Sequence, residues 1–397
     1  MKPFARGMLV LVCALVCAPA PAGGAARQIA FVNISIVPMD APRVLRNYTV
    51  LVEQGVITAM GPSRVITVPE SAERVDGRDR FLSPGLIDMH VHVRAGDLRG
   101  YLRHGVTAVR NMWGYEALAA LRDRVSRGEI ESPLIYSASQ GIDGPPAQWP
   151  ETQLIEDPAA APALVARLAE SGWSFLKVYQ SLRPDVYDAI VREARARNLR
   201  IVGHVGPRVG IERALASGQA SIEHLGGYDS ALTRVGGTNA GTWARIDETR
   251  APALAQATRA AGAWNCPTLA IYAVFASRDS ASDAAAIVGN RRLVVGALHQ
   301  AGARILAGTD AGIGVVAPGI SIHAELRELA ASGLSNYDVL RAATHGAAEF
   351  LEAQASIGSV AIGRRADLLL LDENPLTSLD TLARPRGVML GGRWIVR

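Results

Sequence analysis

Residues Gly85–His92 read GLIDMHVH, a short apolar run that closes on two histidines one residue apart. Its length and the Pro–Gly pair at its start favour a buried strand over a helix. Alternate residues of a strand point to the same face, so His90 and His92 can direct both imidazoles toward one point at the strand's end.

Seven further runs downstream have the same form: GVTAVRNM (105–112), PLIYSAS (133–139), SFLKVYQ (174–180), RIVGHVG (200–206), ASIEHLG (220–226), NCPTLAIY (265–272) and ARILAGTDAG (303–312). Helix-compatible segments such as 159–171, 184–198 and 322–331 separate most of them. Eight strands alternating with helices predict an α/β chain with a (β/α)8 TIM-type barrel over residues 81–354. Residues 27–80 and 355–397 instead read as short strands and turns. Neither piece is large enough for a good core alone, so together they are expected to form one small β-sandwich from both chain ends.

A barrel of this kind carries its chemistry where the strands end at the C-terminal face. The polar residues at those ends are His90 and His92, Lys177, His204, His224 and Asp310. One histidine on an apolar strand is ordinarily a packing residue. Five such placements aligned with a lysine are hard to explain by packing, whereas four imidazoles and a carboxylate are the ligands of divalent transition metals in open catalytic sites.

Lys177 stands out for a second reason. Of the 41 basic residues counted as lysine or arginine, only Lys2 and Lys177 are lysine. Arginine stays protonated in proteins, while a buried lysine can lose its proton and become a nucleophilic amine. A neutral Lys177 amine can capture carbon dioxide as a carbamate, gaining two oxygens and a negative charge that suit a bridge between two cations.

This ordered set resembles the amidohydrolase superfamily of metal-dependent hydrolases, and the resemblance covers nearly all of the chain beyond its N-terminal leader. It implies two divalent metal ions, with zinc the default. His90, His92 and Asp310 would hold one, His204 and His224 the other, and a carbamylated Lys177 would bridge them. The stretches LKVYQSL, IEHLGG, AGTDAG and PGISIHAELRELAASGLSNYDVLRAAT resemble the imidazolonepropionase-like group that includes Xaa-Pro dipeptidases. Lys177 argues against the single-metal members, the true imidazolonepropionases and the cytosine-deaminase type. The implied activity is cleavage of an amide or peptide bond, in a dipeptide of the Xaa-Pro type or an N-acyl amino acid, by a metal-bridged hydroxide. Asp310 would take the hydroxide's proton and pass it to the leaving amine, so Asp310 and Lys177 are the expected catalytic residues. Tyr228, His323, Tyr179 and Trp149 are the expected substrate contacts. Asn111 stands where the group frequently has aspartate. The Pro-rich loop SQGIDGPPAQWPE (139–151) departs from the group's commoner glycine–histidine loop and is a candidate specificity segment. A lactone or phosphotriester hydrolase on the same site is the alternative within enzymes. A barrel kept for binding alone is a third reading, but such proteins typically lose ligands, and all six are here.

The remaining sequence bounds location and partners. Residues 1–26 read as a signal peptide: Lys2 and Arg6 precede an apolar run from Met8 to Ala18, too short to span a bilayer, and small residues follow. Export to the periplasm or the extracellular space is expected, with no stable membrane insertion after cleavage. The processed protein would keep Lys177 as its single lysine and Cys266 as its single cysteine, so no intramolecular disulfide is available. The net charge is +4 without long runs of like charge, so a nucleic-acid partner is not expected. A small-molecule substrate is, and association into a homo-oligomer stays open.

Overall fold

The computed structural model describes residues 28–233, 243–278 and 283–396; the expected leader lies outside them. Eight parallel strands form the centre: Leu86–Val91, Val106–Asn111, Leu134–Asp143, Phe175–Val178, Ile201–Gly203, Ser221–Glu223, Trp264–Cys266 and Arg304–Ile305. We number them barrel strands one to eight; each pairs with its sequence neighbour. Strands one and eight close the ring through a parallel bridge from Val91 to Ala311. The Met89 N–H donates to the Ala307 carbonyl at 2.9 Å and the Asp310 N–H to the His90 carbonyl at 2.8 Å. The expected α/β barrel is therefore present.

All six residues of strand one are buried, as parallel strands covered on both faces require. The helix Pro184–Ala196 shows the complementary pattern, burying Val186, Tyr187, Ala189, Ile190 and Ala194 on one stripe. NCPTLAIY departs from its expected form. The strand stops at Cys266, because Pro267 has no N–H to continue the ladder, and Leu269–Arg278 is a helix. That early turn brings Thr268 and Ile271 to the barrel mouth.

Both chain ends contribute to a second sheet of eight strands. Its order runs Arg393–Val396, Gly387–Leu390, Leu368–Leu371, Phe81–Pro84, Gln28–Ile36, Leu45–Glu53 and Val56–Pro62, with Glu73–Asp76 also paired to Gln28–Ile36. It has a core of its own, including Phe31, Ile34, Val50, Leu82, Leu368 and Met389. Phe81–Pro84 still belongs to this sheet, pairing antiparallel with Leu368–Leu371. The chain passes into the barrel at Gly85, where a Cβ would lie 2.2 Å from the Thr107 hydroxyl. Among the described residues, no helix is long and apolar enough to cross a membrane.

Candidate active site

A cavity of about 480 Å³ opens at the C-terminal ends of the barrel strands. His92, Lys177, His204, His224 and Asp310 line its floor, and Trp113, Tyr115, Trp149, Tyr179, Ile271 and Phe275 are among its walls. His90 lies fully buried just beneath. One carboxylate oxygen of Asp310 is 3.0 Å from His92 Nε2 and 3.3 Å from His90 Nε2. The rings of His90 and His224 are 4.5 Å apart between centroids, and those of His224 and His204 are 4.6 Å apart. Both His224 and Asp310 take a left-handed backbone, with φ of 58° and 62°. Such strain in a non-glycine residue persists where the surroundings hold it, typically at functional sites. Gly308 permits the close approach of strands one and eight, since a Cβ there would lie 2.8 Å from the His90 nitrogen.

The protonation of the imidazoles follows from their partners. Glu223, on strand six, accepts from His90 Nδ1 at 2.7 Å and from the Arg110 guanidinium at 2.9 and 3.1 Å. Burial disfavours its charge, but Arg110 and His90 outweigh that and hold it well below the usual carboxylate range. An ionised carboxylate only accepts hydrogen bonds, so His90 carries its proton on Nδ1 and leaves Nε2 bare. Among the described residues that nitrogen has no hydrogen-bond partner, although it faces the Asp310 carboxylate.

His224 is fixed in the same way. Thr268 donates its hydroxyl proton to the Pro267 carbonyl at 2.8 Å, so toward His224 Nδ1, 2.7 Å away, it accepts. His224 then also carries its proton on Nδ1. Burial pushes the pKa of His90 down to about 4 and that of His224 down to about 3. Burial likewise lowers His92, and it takes His204 well below its ordinary value, helped there by His224. Neutral imidazoles with their second nitrogen hydrogen-bonded are the form that binds metals. His92 Nε2 bonds the Asp310 carboxylate at 3.0 Å, whereas the bare Nε2 of His90, 3.3 Å from the same oxygen, has no proton to offer it; a cation between the two would satisfy both, so this donor set fits divalent metal. Thr268→Val should remove the device that sets the His224 tautomer and weaken metal affinity by roughly 10–100-fold; titration of the metal-free protein, monitored by calorimetry, measures this.

Lys177, in the middle of strand four, is buried among these groups with Nζ 5.6 Å from the Trp113 ring centroid. Burial lowers its pKa to about 8, so the free amine is accessible near neutral pH. The site thus brings together His90, His92, Lys177, His204, His224 and Asp310. Two of the four expected substrate contacts join them: Trp149 and Tyr179 line the cavity, and the indole N–H of Trp149 donates to the Tyr179 hydroxyl at 2.6 Å.

The other two contacts are elsewhere. Tyr228 is buried, with its hydroxyl bonded to Thr258 and to Asn265 at 2.8 and 2.9 Å. It turns away from the cavity because those partners satisfy its hydroxyl in the core. His323 packs beside His104, with Nε2 3.2 Å from the His104 carbonyl. Its helix begins at Ser321, and the imidazole lies against the segment before strand two rather than lining the cavity. Asn111 has a structural task, accepting from the Val93 N–H at 2.9 Å and donating to the Trp113 carbonyl at 2.7 Å.

Three supporting groups escape the sequence reading: Arg110, Glu223 and Thr268. Arg110 and Glu223 are single charges inside apolar strands, which is a readable signal, but their pairing across 113 positions is not. Asp88, in the same run as His90, ties strand one to strand eight by accepting from the Thr309 hydroxyl at 2.7 Å and the Thr309 N–H at 3.1 Å.

Comparison with known proteins places this geometry. A sequence model of the amidohydrolase family matches residues 178–395, more than half of the chain. The chain is 23% identical to ochratoxinase of Aspergillus niger over 433 aligned positions, which cover 89% of this chain and 83% of that one. Among solved structures, bottromycin amidohydrolase is 27% identical with a TM-score of 0.75, covering 93% of this chain and 87% of the other. A Bifidobacterium longum protein assigned as a prolidase is 25% identical, also with a TM-score of 0.75, covering 94% and 95%. With the barrel and its strand-end donors, these likenesses establish that the chain belongs to the amidohydrolase family and is a hydrolase acting on carbon–nitrogen bonds.

Proposed function

We propose that this protein is an exported amidohydrolase that uses two metal ions, zinc by default, to cleave the amide bond of a dipeptide or an N-acyl amino acid. The observation that carries the reading is the convergence of four neutral histidines, a deprotonatable lysine and Asp310 on one cavity with largely aromatic walls. His90, His92 and Asp310 would hold one cation, and their ligand atoms all lie within 4.8 Å of one another. His204 and His224 would hold the other, with a carbamate on Lys177 joining the two. Bound there, the cations supply an ionised water near neutral pH and polarise the scissile carbonyl.

The chain's own residues do the rest. Asp310 touches both the His90 and His92 donors and sits at the floor of the cavity, so it takes the proton of the attacking water and delivers it to the leaving nitrogen. Glu223 and Thr268 keep His90 and His224 in their donor tautomers. Trp113, Trp149, Tyr179 and Phe275 enclose an apolar substrate group and exclude bulk water, which strengthens the electrostatics of the floor.

The test is hydrolysis of a library of dipeptides, Xaa-Pro members included, and N-acyl amino acids by metal-reconstituted protein, with a lactone and a phosphotriester alongside. Cleavage of amides bearing large apolar acyl groups is expected. Turnover confined to the lactone or phosphotriester would overturn the amide assignment.

A further inference from the structure

Thr268 has a backbone that is rare for its residue type. It is fully buried and left-handed, with φ of 49°, a conformation that a β-branched residue keeps only where its surroundings impose it. Its hydroxyl is the group that meets Nδ1 of His224. The strand cannot hold this turn, because Pro267 has already ended the ladder. The turn runs directly into the helix Leu269–Arg278, whose residues Ile271 and Phe275 wall the cavity. A group that holds the first turn of that helix therefore also holds Thr268.

Glu325 is placed to do so. It lies on the helix Ser321–Ala331, which follows strand eight, and it is fully buried. Its Oε2 accepts from the Ala270 N–H at 2.7 Å, and the Leu269 N–H also donates to the carboxyl. The first N–H groups of a helix have no partner within it, so these bonds close the helix end. The other oxygen, Oε1, has no partner among the described residues. Burial pushes the pKa of the group up to about 8. A buried carboxyl left half unsatisfied costs stability that an apolar side chain of similar size does not. The bonds it does make go to the two residues that follow Thr268.

We propose that Glu325 is a positioning residue for the metal centre: by clamping the first turn of the helix Leu269–Arg278 it keeps Thr268 in its left-handed turn, and so keeps the Thr268 hydroxyl on Nδ1 of His224. Among the described residues Glu325 bonds to none of the metal donors itself. It acts through two links, the helix end and the threonine. Without the clamp the strained turn relaxes and the hydroxyl withdraws. The histidine proton is then free to move to Nε2, the nitrogen that a metal needs bare. The inference rests on the reading of His224 as a metal ligand, and the tautomer of His224 in metal-free protein tests it apart from that reading.

The experiment uses the full chain as wild type, Glu325→Gln, Glu325→Leu, Thr268→Val and the double variant Thr268→Val with Glu325→Leu. Nitrogen NMR of the imidazoles in metal-free protein reports where His224 carries its proton, and calorimetric titration with zinc reports affinity. Wild type should show the proton on Nδ1. Glu325→Gln, whose carbonyl still accepts from the two N–H groups, should match wild type in both measurements. Glu325→Leu should move the proton toward Nε2 and weaken zinc binding roughly 10-fold, the lower end for groups that orient a ligand. The double variant should lose no more than Thr268→Val alone, because the two side chains act through one contact. Glu325→Asp keeps the carboxyl but draws it back by one methylene; it should shift the proton in the same direction, and it serves if the leucine variant does not fold. If wild type binds no zinc yet His224 responds to Glu325→Leu, the positioning role stands and the metal reading fails. A folded Glu325→Leu or Glu325→Asp protein with the wild-type His224 tautomer, or losses that add in the double variant, would overturn the role.

Discussion

Lys177→Arg is expected to retain at most about one metal equivalent per chain and to lose kcat by about 10⁴ or more. That is the upper end of what one positioned acid–base group supplies, and here the centre that ionises the water is lost as a whole. The argument starts from burial. Lys177 lies within the floor of the cavity, and desolvation lowers its pKa to about 8. Arginine at that position keeps a positive charge among the metal donors and cannot form a carbamate. Because the larger side chain can disturb packing against Trp113, Lys177→Ala is the companion variant. It should also be inactive, and short carboxylic acids should partly restore turnover by occupying the vacated bridge. Circular dichroism and metal content of both proteins separate loss of the bridge from loss of the fold. Full activity of Lys177→Arg with two metals bound would remove the lysine from the mechanism.

Asp310→Asn should lower kcat by roughly 10²–10⁴ through loss of proton transfer, with a further loss if the weaker ligand releases metal. Asp310 is placed for both tasks: one of its oxygens lies within 3.3 Å of the ring nitrogens of both His90 and His92, and it lines the cavity. Burial opposes its ionisation, yet the surrounding histidines hold its carboxyl well below the usual range. It is therefore charged and ready to accept a proton at neutral pH. Measuring kcat at saturating metal, alongside metal content, isolates the proton-transfer part. Near-wild-type turnover at full occupancy would exclude the role.

The barrel was legible because each strand is a short apolar run and the helices between them carry a stripe pattern. The metal donors were legible for a related reason: a histidine, lysine or aspartate at the end of an apolar strand has few roles other than chemistry. What was not legible depends on partners distant in sequence. The hydroxyl of Tyr228 is satisfied by Thr258 and Asn265, and Nε2 of His323 meets the His104 carbonyl; neither pairing leaves a local trace. The run NCPTLAIY reads as a strand through Thr268, and only the turn after Pro267 gives that residue access to His224. Arg291 is one of two adjacent arginines on a helix. Its neighbour Arg292 pairs with Glu328 at 2.7 Å, and nothing in the sequence tells which of the two faces the interior.

The binuclear, carbamate-bridged site is the central claim, and a crystal structure of active protein reconstituted with zinc and bicarbonate tests it most directly. The account predicts two anomalous zinc peaks, one beside His90, His92 and Asp310 and one beside His204 and His224, with added density on Nζ of Lys177 reaching both. A single peak with an unmodified Lys177 amine, in crystals grown from fully active enzyme, would contradict it.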